Sequence, residues 1–242
     1  MEVNDRLNVK FYEHPQLCLR LIIIIFKLLR NGFFSIILKL NLWPRTLKTF
    51  IKILIFFLEK NNNKNVKNNL SITLSDLGPG FIKLGQTLST RPDMFGLKIT
   101  EKLVYLQDNV KPCSFNEIKK IIEQETESKI NELFSKLIEK PIATASVAQV
   151  HEGTLLSGER IAIKILRPNI ENLLFKDFKF FFWLSGLTEI IYPKIKKFKL
   201  PEMVRVFAST SLNEVDLKLE AAYGSELNSN FINFKKFPCI IP

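Results

Sequence analysis

A loop of small residues followed by a lysine strand is the part of this sequence best suited to bind phosphate groups. Residues 141–164 read PIATASVAQVHEGTLLSGERIAIK, which predicts a loop, a strand, a turn at Ser157-Gly158 and a second strand ending at Lys164. Small side chains let backbone N–H groups approach a triphosphate, and a lysine ammonium supplies a point charge for its phosphates. The alternative is an ordinary β-hairpin with an alanine-packed start. The candidate phosphate-binding residues are Ile142, Ala143, Thr144, Ala145, Ser146, Val147, Ala148, Gln149, Val150 and Lys164.

The loop follows the spacing of the protein-kinase pattern G-x-G-x-x-G-x-V, with alanine in place of glycine. The alanines are Ala143, Ala145 and Ala148, and the valine is Val150. Residues 161–164 read IAIK and match the kinase strand V-A-I-K. Because a Cβ restricts positive φ, this loop is expected to be stiffer than a glycine loop.

Two further motifs connect this hairpin to a known family. Residues 83–86 read KLGQ, a K-x-G-Q motif, and residues 214–216 read EVD, an E-x-D motif, with Glu220 four residues further on. With the alanine-rich loop between them, the three motifs occur in the order typical of one family. The chain resembles the UbiB family of atypical protein-kinase-like proteins over residues 77–222.

The resemblance implies pairs between the motifs. Glu220 corresponds to the glutamate that pairs with the strand lysine, Lys164, and Glu214 is expected to meet Lys83. Lys83 and Gln86 would gate the nucleotide site. The alternative for the acids is that all three, Asp216 included, are surface residues.

The cofactors implied by the resemblance are ATP and Mg²⁺, with Asp216 the acid best placed to approach the nucleotide through the metal. Kinase-like catalysis also needs catalytic-loop and magnesium-binding aspartates, the H-R-D and D-F-G equivalents, in a second lobe. Neither motif follows Glu220. We therefore expect the first half of such a protein, with no catalytic residues of its own, from a split gene, a decayed gene or a shortened sequence. Activity would then require a separate chain that supplies the second lobe.

The function implied is an ATP-binding half-site of a kinase-like ATPase in ubiquinone biosynthesis, in contact with other ubiquinone-biosynthesis proteins. The implied location is peripheral, on the cytoplasmic face of the inner membrane of a bacterial-type cell. The rival hypothesis is a catalytically inactive remnant, or a regulatory membrane-associated subunit without turnover.

Charge supports a membrane surface as a partner. The net charge is +11, and residues 1–60 hold ten basic and four acidic residues, a surplus of six. A basic surplus in an apolar region favours an anionic membrane surface. Nucleic acid is the competing partner, but the interleaved aromatic and basic pattern of RNA-binding domains is absent, so no nucleic acid is expected.

Cysteine and histidine usage excludes some chemistry. The three cysteines, Cys18, Cys113 and Cys239, are widely spaced and odd in number, which indicates neither a disulfide framework nor a zinc site. The only histidines are His14 and His151, so histidine-based metal or triad chemistry is nearly excluded. A structural role is predicted for His151.

The apolar N-terminal region divides into helices. Leu17–Leu42 is strongly apolar, but it is interrupted by Arg20, Lys27, Arg30, Asn31 and Lys39, so a membrane span is not predicted. We expect helices that lie on a membrane or pack in a helical bundle, with another amphipathic helix at Arg45–Glu59. Asn61–Asn69, NNNKNVKNN, reads as a polar linker.

The predicted fold is α+β, an N-terminal helical extension followed by the small lobe of a protein-kinase-like fold. Its predicted domains are a membrane-associated helical region at 1–60, the linker at 61–69, a helical extension with K-x-G-Q at 70–140, and the small lobe at 141–242. The predicted elements are helices over Pro79–Thr90, Ser114–Glu125, Ser128–Leu137, Ile170–Ile191 and Glu214–Phe231, strands over Val147–Leu155 and Arg160–Leu166, and a solvated loop at Lys194–Lys199.

Overall fold

The computed structural model of the chain describes residues 6–9, 13–30, 69–108 and 111–231. The second half of Leu17–Leu42, the helix expected at Arg45–Glu59 and nearly all of the 61–69 linker lie outside these residues. In the described part, the α-helices are α1 (His14–Arg30), α2 (Asn69–Leu77), α3 (Pro79–Ser89), α4 (Pro92–Phe95), α5 (Leu97–Asp108), α6 (Phe115–Thr126), α7 (Ile130–Leu133), α8 (Ile170–Ile191), α9 (Leu200–Asn213) and α10 (Leu217–Phe231). The strands are β1 (Phe134–Leu137), β2 (Ala143–Thr144), β3 (Ala148–Leu155) and β4 (Arg160–Leu166), and a 3₁₀-helix spans Pro193–Phe198.

The described residues fall into two compact units. The sheet unit comprises residues 6–7, 113–142 and 147–231, and the helical unit comprises residues 8–9, 13–30, 69–108, 111–112 and 143–146. The alanine-rich loop is thus divided, because its first four residues belong with the helices.

Strand β3 organises the sheet unit. It pairs antiparallel with β1 and also antiparallel with β4. In the β3–β4 pair, Val150 is opposite Lys164. Gly158 closes the β3–β4 turn with φ 91°, an angle that glycine adopts without strain. The alternation along β4 buries Ile165 against Ile118 and Ile122 of α6. Helix α6 therefore covers one face of the sheet.

Helices α8 and α9 pack against each other in the same unit. Helix α8 is apolar around most of its circumference, as expected for a largely buried helix, and Leu174 and Phe178 are fully buried. The ring of Phe178 meets that of Phe207 on α9 edge to face, with centroids 5.4 Å apart. This packing orients the connection that leads into α10.

The helical unit is built around α3, where Gly85 allows close packing. Pro79 begins α3, as is common at a first helical position, and the amides of Phe81 and Ile82 bond to the Gly78 carbonyl. An ideal Cβ on Gly85 would overlap the buried Leu106 side chain of α5 and lie 3.0 Å from Leu74 of α2. The glycine of the K-x-G-Q motif is therefore where three helices meet.

Helix α1 buries Leu17 and Ile24, and two of its basic residues contact the helical unit while a set of apolar side chains faces outward. The Lys27 ammonium donates to the Asp76 carbonyl at 3.2 Å, and the Arg20 guanidinium lies 5.9 Å from the centre of the Phe81 ring. On the solvent side, Leu19, Ile22, Ile23 and Phe26 are 59%, 63%, 47% and 50% exposed. Among the described residues, no helix combines the length and the apolar character needed to cross a membrane.

Several element predictions are confirmed. The K-x-G-Q helix, the α8 helix and the β4 strand have the predicted extents to within a residue. The capping box is present, since Ser114 Oγ accepts from the Glu117 amide and the Glu117 carboxylate accepts from the Ser114 amide.

Three element predictions are wrong. The helix expected over Ser128–Leu137 ends at Leu133, because Phe134–Leu137 form β1 and their backbone pairs with β3. The loop expected at Lys194–Lys199 is largely a 3₁₀-helix, which begins at Pro193. The helix expected over Glu214–Phe231 begins only at Leu217.

Candidate functional site

The loop residues differ in their exposure. Ile142, Ala143 and Ala145 are exposed and Thr144 is partly buried, whereas the run from Ser146 to Gln149 is buried. Among the described residues, positive φ angles occur at three non-glycine positions, Glu127, Asn169 and Lys199, all outside the loop. The alanine-rich loop thus needs no left-handed backbone, which is consistent with alanine in place of glycine.

Lys164 lies on the face of the sheet opposite α6. Because side chains alternate along a strand, Ala162 and Lys164 point away from the buried Ile165, and Val150 faces the same way across the ladder. Ala162 and Lys164 are exposed. In the sheet unit this face presents the strand lysine next to small and apolar neighbours.

The expected contact between Lys164 and Glu220 is present. Lys164 Nζ lies 2.7 and 2.5 Å from the two carboxylate oxygens of Glu220, which is in the first turn of α10. The side chains remain 39% and 52% exposed. An ion pair between a strand lysine and a helix glutamate is also part of the active arrangement of protein kinases.

Glu214 and Asp216 do not share a helix with Glu220, in contrast to the sequence prediction. Glu214 is the C-terminal cap residue of α9, and residues 214–216 form a turn. Asp216 Oδ1 accepts a hydrogen bond from the Leu219 amide at 3.0 Å. Aspartate in this position satisfies an amide that the start of a helix leaves unpaired. The break between α9 and α10 therefore arises at Asp216.

The helical unit contains the K-x-G-Q motif and the loop residue Ser146. Gln86 Nε2 donates to the Leu106 carbonyl at 3.1 Å, and Ser146 Oγ donates to Gln86 Oε1 at 3.4 Å. Burial lowers the pKa of the Lys83 ammonium. Gln86 thus connects the motif helix to the alanine-rich loop.

A buried hydrogen-bond chain through Gln149 and His151 in the sheet unit was not predicted from the sequence, apart from the structural role of His151. Gln149 Oε1 accepts from the Cys113 amide at 2.8 Å, and Gln149 Nε2 lies 2.7 Å from His151 Nε2. His151 Nδ1 lies 2.9 Å from the Ile138 carbonyl. That carbonyl can only accept, so Nδ1 carries the proton and Nε2 accepts from the amide. The Gln149 side chain is therefore committed to structural hydrogen bonds.

A cavity of about 680 Å³ lies along β4 within the sheet unit. Four consecutive strand residues, Ile163 to Leu166, line it, together with Ile121 of α6 and Val215 of the α9–α10 turn. At its rim, Arg6 Nη1 donates to Glu171 Oε1 at 2.8 Å and the Arg6 guanidinium lies 3.4 Å from the Phe175 ring centre. Nothing in the sequence pattern indicates this role for Arg6.

The acids of the site offer little for a metal ion by themselves. In the part of the chain that the structure describes, no group of three or more His, Cys, Asp or Glu side chains is arranged to hold a metal. Asp216 is exposed, and one of its oxygens already caps α10. Mg²⁺ commonly takes one or two protein carboxylates and completes its shell with phosphate oxygens and water. Asp216 fits that kind of shared site, with a nucleotide supplying further ligands.

The fold and the lysine–glutamate pair define a class of protein. The family model described as "ABC1 atypical kinase-like domain" matches residues 105–242. The chain therefore belongs to the ABC1 atypical kinase-like family, and its α+β architecture is that of a kinase-like N-terminal lobe with a helical extension.

Within that family, the chain is similar to proteins named "Probable protein kinase UbiB". It is 37% identical over 196 residues to the one from Marinobacter nauticus, covering 81% of this chain and 36% of that protein. It is 40% identical over 162 residues to the one from Pseudomonas aeruginosa strain PAO1, covering 67% and 30%. It is 34% identical over 201 residues to the one from Histophilus somni, covering 81% of this chain and 37% of that protein. The chain thus spans about a third of the length of these relatives.

A solved structure from Mycobacterium tuberculosis, of a protein in complex with erythromycin, is also similar. The identity is 23% and the TM-score 0.42, over 77% of this chain and 45% of that one.

Proposed function

We propose that this chain is the ATP-binding part of a UbiB-like kinase or ATPase that acts in ubiquinone biosynthesis. The observation that carries the proposal is the Lys164–Glu220 ion pair, because it places a lysine on the open face of a sheet whose preceding loop has the kinase spacing. The similarity to three bacterial UbiB proteins supports the choice of pathway.

In this proposal the phosphates of ATP lie against the backbone of residues 143–150, and Lys164 contacts them. Mg²⁺ when bound neutralises phosphate charge, with Asp216 as the protein ligand. Lys83 and Gln86 control access to the loop. Support for this last role is the Ser146–Gln86 hydrogen bond, which couples the motif helix to the loop.

A peripheral contact with the cytoplasmic leaflet of a bacterial inner membrane is part of the proposal. Its support is the exposed stripe of α1 formed by Leu19, Ile22, Ile23 and Phe26, since such a stripe is typical of helices that lie in a membrane interface. The ubiquinone-biosynthesis proteins are the proposed protein partners.

Nucleotide binding tests the proposal directly. We expect a fluorescent ATP analogue with Mg²⁺ to bind the chain weakly and to be displaced by ATP. The Lys164→Met variant should lose this binding, whereas the matched variant Lys136→Met, an exposed lysine on β1, should retain it. Equal binding by the wild-type chain and Lys164→Met would exclude Lys164 as a phosphate ligand.

A second test separates an active half-site from the inactive alternative. A bacterial strain without its UbiB protein would receive this chain, with or without the remaining two thirds of the Marinobacter nauticus relative on a separate gene. Restored ubiquinone that depends on Lys164 supports a working half-site. Nucleotide binding without any restoration would favour the regulatory or remnant alternative.

A further inference from the structure

Ten consecutive residues form an exposed apolar and basic corner of the sheet unit. The 190–199 corner comprises the last two residues of α8, Tyr192, the 3₁₀-helix and Lys199. Its large apolar side chains Ile190, Ile191, Tyr192 and Phe198 are 75%, 71%, 52% and 59% exposed. Single exposed apolar residues are common, but four in ten residues form a patch of the kind that marks an interaction site.

The corner is an ordered turn with its backbone hydrogen bonds made. The Tyr192 amide donates to the Thr188 carbonyl at 2.9 Å, and the Lys199 amide donates to the Lys196 carbonyl at 3.0 Å. Lys199 takes the left-handed conformation with φ 51°, which ends the turn and starts α9. The apolar side chains are therefore held outward by a defined backbone.

Lysines surround these apolar side chains. Residues 189–205 contain Lys194, Lys196, Lys197, Lys199 and Arg205 against Glu189 and Glu202, which gives 5 − 2 = +3. Lys199 Nζ lies 3.6 Å from Glu202 Oε2, and Lys197 Nζ lies 5.0 Å from the Phe198 ring centre. The corner thus combines a cationic rim with apolar side chains that can leave water.

We infer that the 190–199 corner inserts into the headgroup region of an anionic lipid bilayer. Lysines near an anionic surface attract it electrostatically, and apolar side chains add burial at the acyl boundary. An acidic protein would use the lysines but would leave Ile190 and Ile191 exposed at the end of α8 without a matching apolar surface. The inference deepens the membrane contact proposed above by adding a second surface, and it does not depend on ATP binding.

Co-sedimentation with vesicles of phosphatidylglycerol and phosphatidylcholine, compared with pure phosphatidylcholine, tests the charge contribution. Each lysine at the surface contributes roughly a fivefold change in affinity, so Lys196→Gln/Lys197→Gln should weaken binding to the anionic vesicles about 25-fold. Ile190→Ser/Ile191→Ser should weaken it as well. The charge-matched control Lys136→Gln/Lys140→Gln, two exposed lysines elsewhere in the sheet unit, should bind within about twofold of the wild type.

An environment-sensitive dye locates the contact independently of α1. In a background of Cys18→Ser, Cys113→Ser and Cys239→Ser, Ile191→Cys and Lys140→Cys would each carry the dye. We expect a blue shift on anionic vesicles at position 191 and none at position 140. A chain that sediments with vesicles while the dye at 191 still reports water would overturn the inference. The inference would also be wrong if the chain did not bind anionic vesicles at all, or if Lys196→Gln/Lys197→Gln sedimented with them as well as the wild type. The same blue shift at position 191 with soluble polyglutamate would instead assign the corner to an acidic protein.

Discussion

The ammonium of Lys164 sits 2.7 and 2.5 Å from the two carboxylate oxygens of Glu220, 56 residues further along the chain. Both side chains are about half exposed, so water screens the pair. We expect a coupling free energy of about 0.2–1 kcal/mol in a double-mutant cycle with Lys164→Met and Glu220→Gln, measured by denaturant unfolding.

The pair should matter more for nucleotide binding than for folding. The control is the Arg160–Glu152 ion pair, which is also exposed on the sheet. A double-mutant cycle on this pair should give a similar coupling free energy. The Arg160→Met and Glu152→Gln variants should leave nucleotide affinity unchanged, while Lys164→Met and Glu220→Gln lower it. Loss of nucleotide binding in both sets would point to a general distortion of the sheet.

Gly85→Ala should destabilise the helical unit. The added methyl group overlaps buried Leu106, and overpacking of this kind costs about 1–3 kcal/mol, which exceeds the gain of up to about 1 kcal/mol from replacing a helical glycine. The matched control is Gly186→Ala in α8, where an ideal Cβ meets nothing within 4 Å. That variant should be stabilised by about 0.5–1 kcal/mol. Chemical denaturation of both variants should show a lower free energy of unfolding for Gly85→Ala and a higher one for Gly186→Ala.

The capping box makes stability depend on pH through Glu117. Hydrogen bonds from Ser114 Oγ and the Ser114 amide lower the pKa of the Glu117 carboxyl below its ordinary value of 4.5. A carboxyl whose pKa is lower in the folded state contributes stability above its unfolded pKa and loses it as the pH falls through the folded value. Wild type should therefore exceed Glu117→Gln in stability at pH 7, and the gap should close below pH 4.5.

Thermal unfolding between pH 7 and pH 3 measures this gap in stability between the wild type and Glu117→Gln. Ser114→Ala should shrink it because the carboxylate loses its main donor. Glu159→Gln, an exposed acid at the β3–β4 turn, serves as the control and should show a smaller dependence. A gap that stays constant across this range would mean that the capping box is not formed in solution.

The 242-residue polypeptide should not hydrolyse ATP by itself. Phosphoryl transfer requires metal-binding and catalytic aspartates in addition to the lysine and loop, and no aspartate follows Asp216 in the sequence. Phosphate release by the purified chain should equal that of Lys164→Ala. Turnover that depends on Lys164 would show that catalytic groups lie elsewhere in the chain.

The apolar stripe of α1 should contribute a salt-insensitive part of membrane binding. Its basic neighbours Arg20 and Lys27 contact the helical unit, so they do not face the lipid with the stripe. Ile22→Ser/Ile23→Ser should reduce the vesicle binding that persists at 0.5 M NaCl. Deletion of residues 1–60 should reduce the total binding further, including the part that added salt removes. Equal sedimentation after that deletion would contradict a membrane role for the region.

Short-range patterns predicted much of the fold. The S-x-x-E box, Pro79 and the alternation of β4 each act over a few residues, and the corresponding elements are found where expected. The contact between Lys164 and Glu220 was predicted because both residue types recur at fixed places in kinase-like lobes. Their roles in ATP binding stay predictions.

The errors arose where neighbours distant in sequence decide the structure. Phe134–Leu137 continues a helical pattern, but β3 offers it backbone partners 16 to 21 residues further along the chain. Asp216 was assigned to the α10 helix by spacing, although a carboxylate before an apolar run equally well starts a helix. The Gln86–Ser146 hydrogen bond joins residues 60 positions apart, and the Arg6–Glu171 contact at the cavity rim joins residues 165 positions apart. No local sequence pattern contains either contact.

The cavity beside β4 has a practical consequence for handling the protein. In the described residues β4 pairs with β3 only, and four of its consecutive residues line an open cavity with apolar walls. An edge strand of this kind is a template on which the backbone of another chain can pair. Purified material is therefore expected to self-associate as its concentration rises.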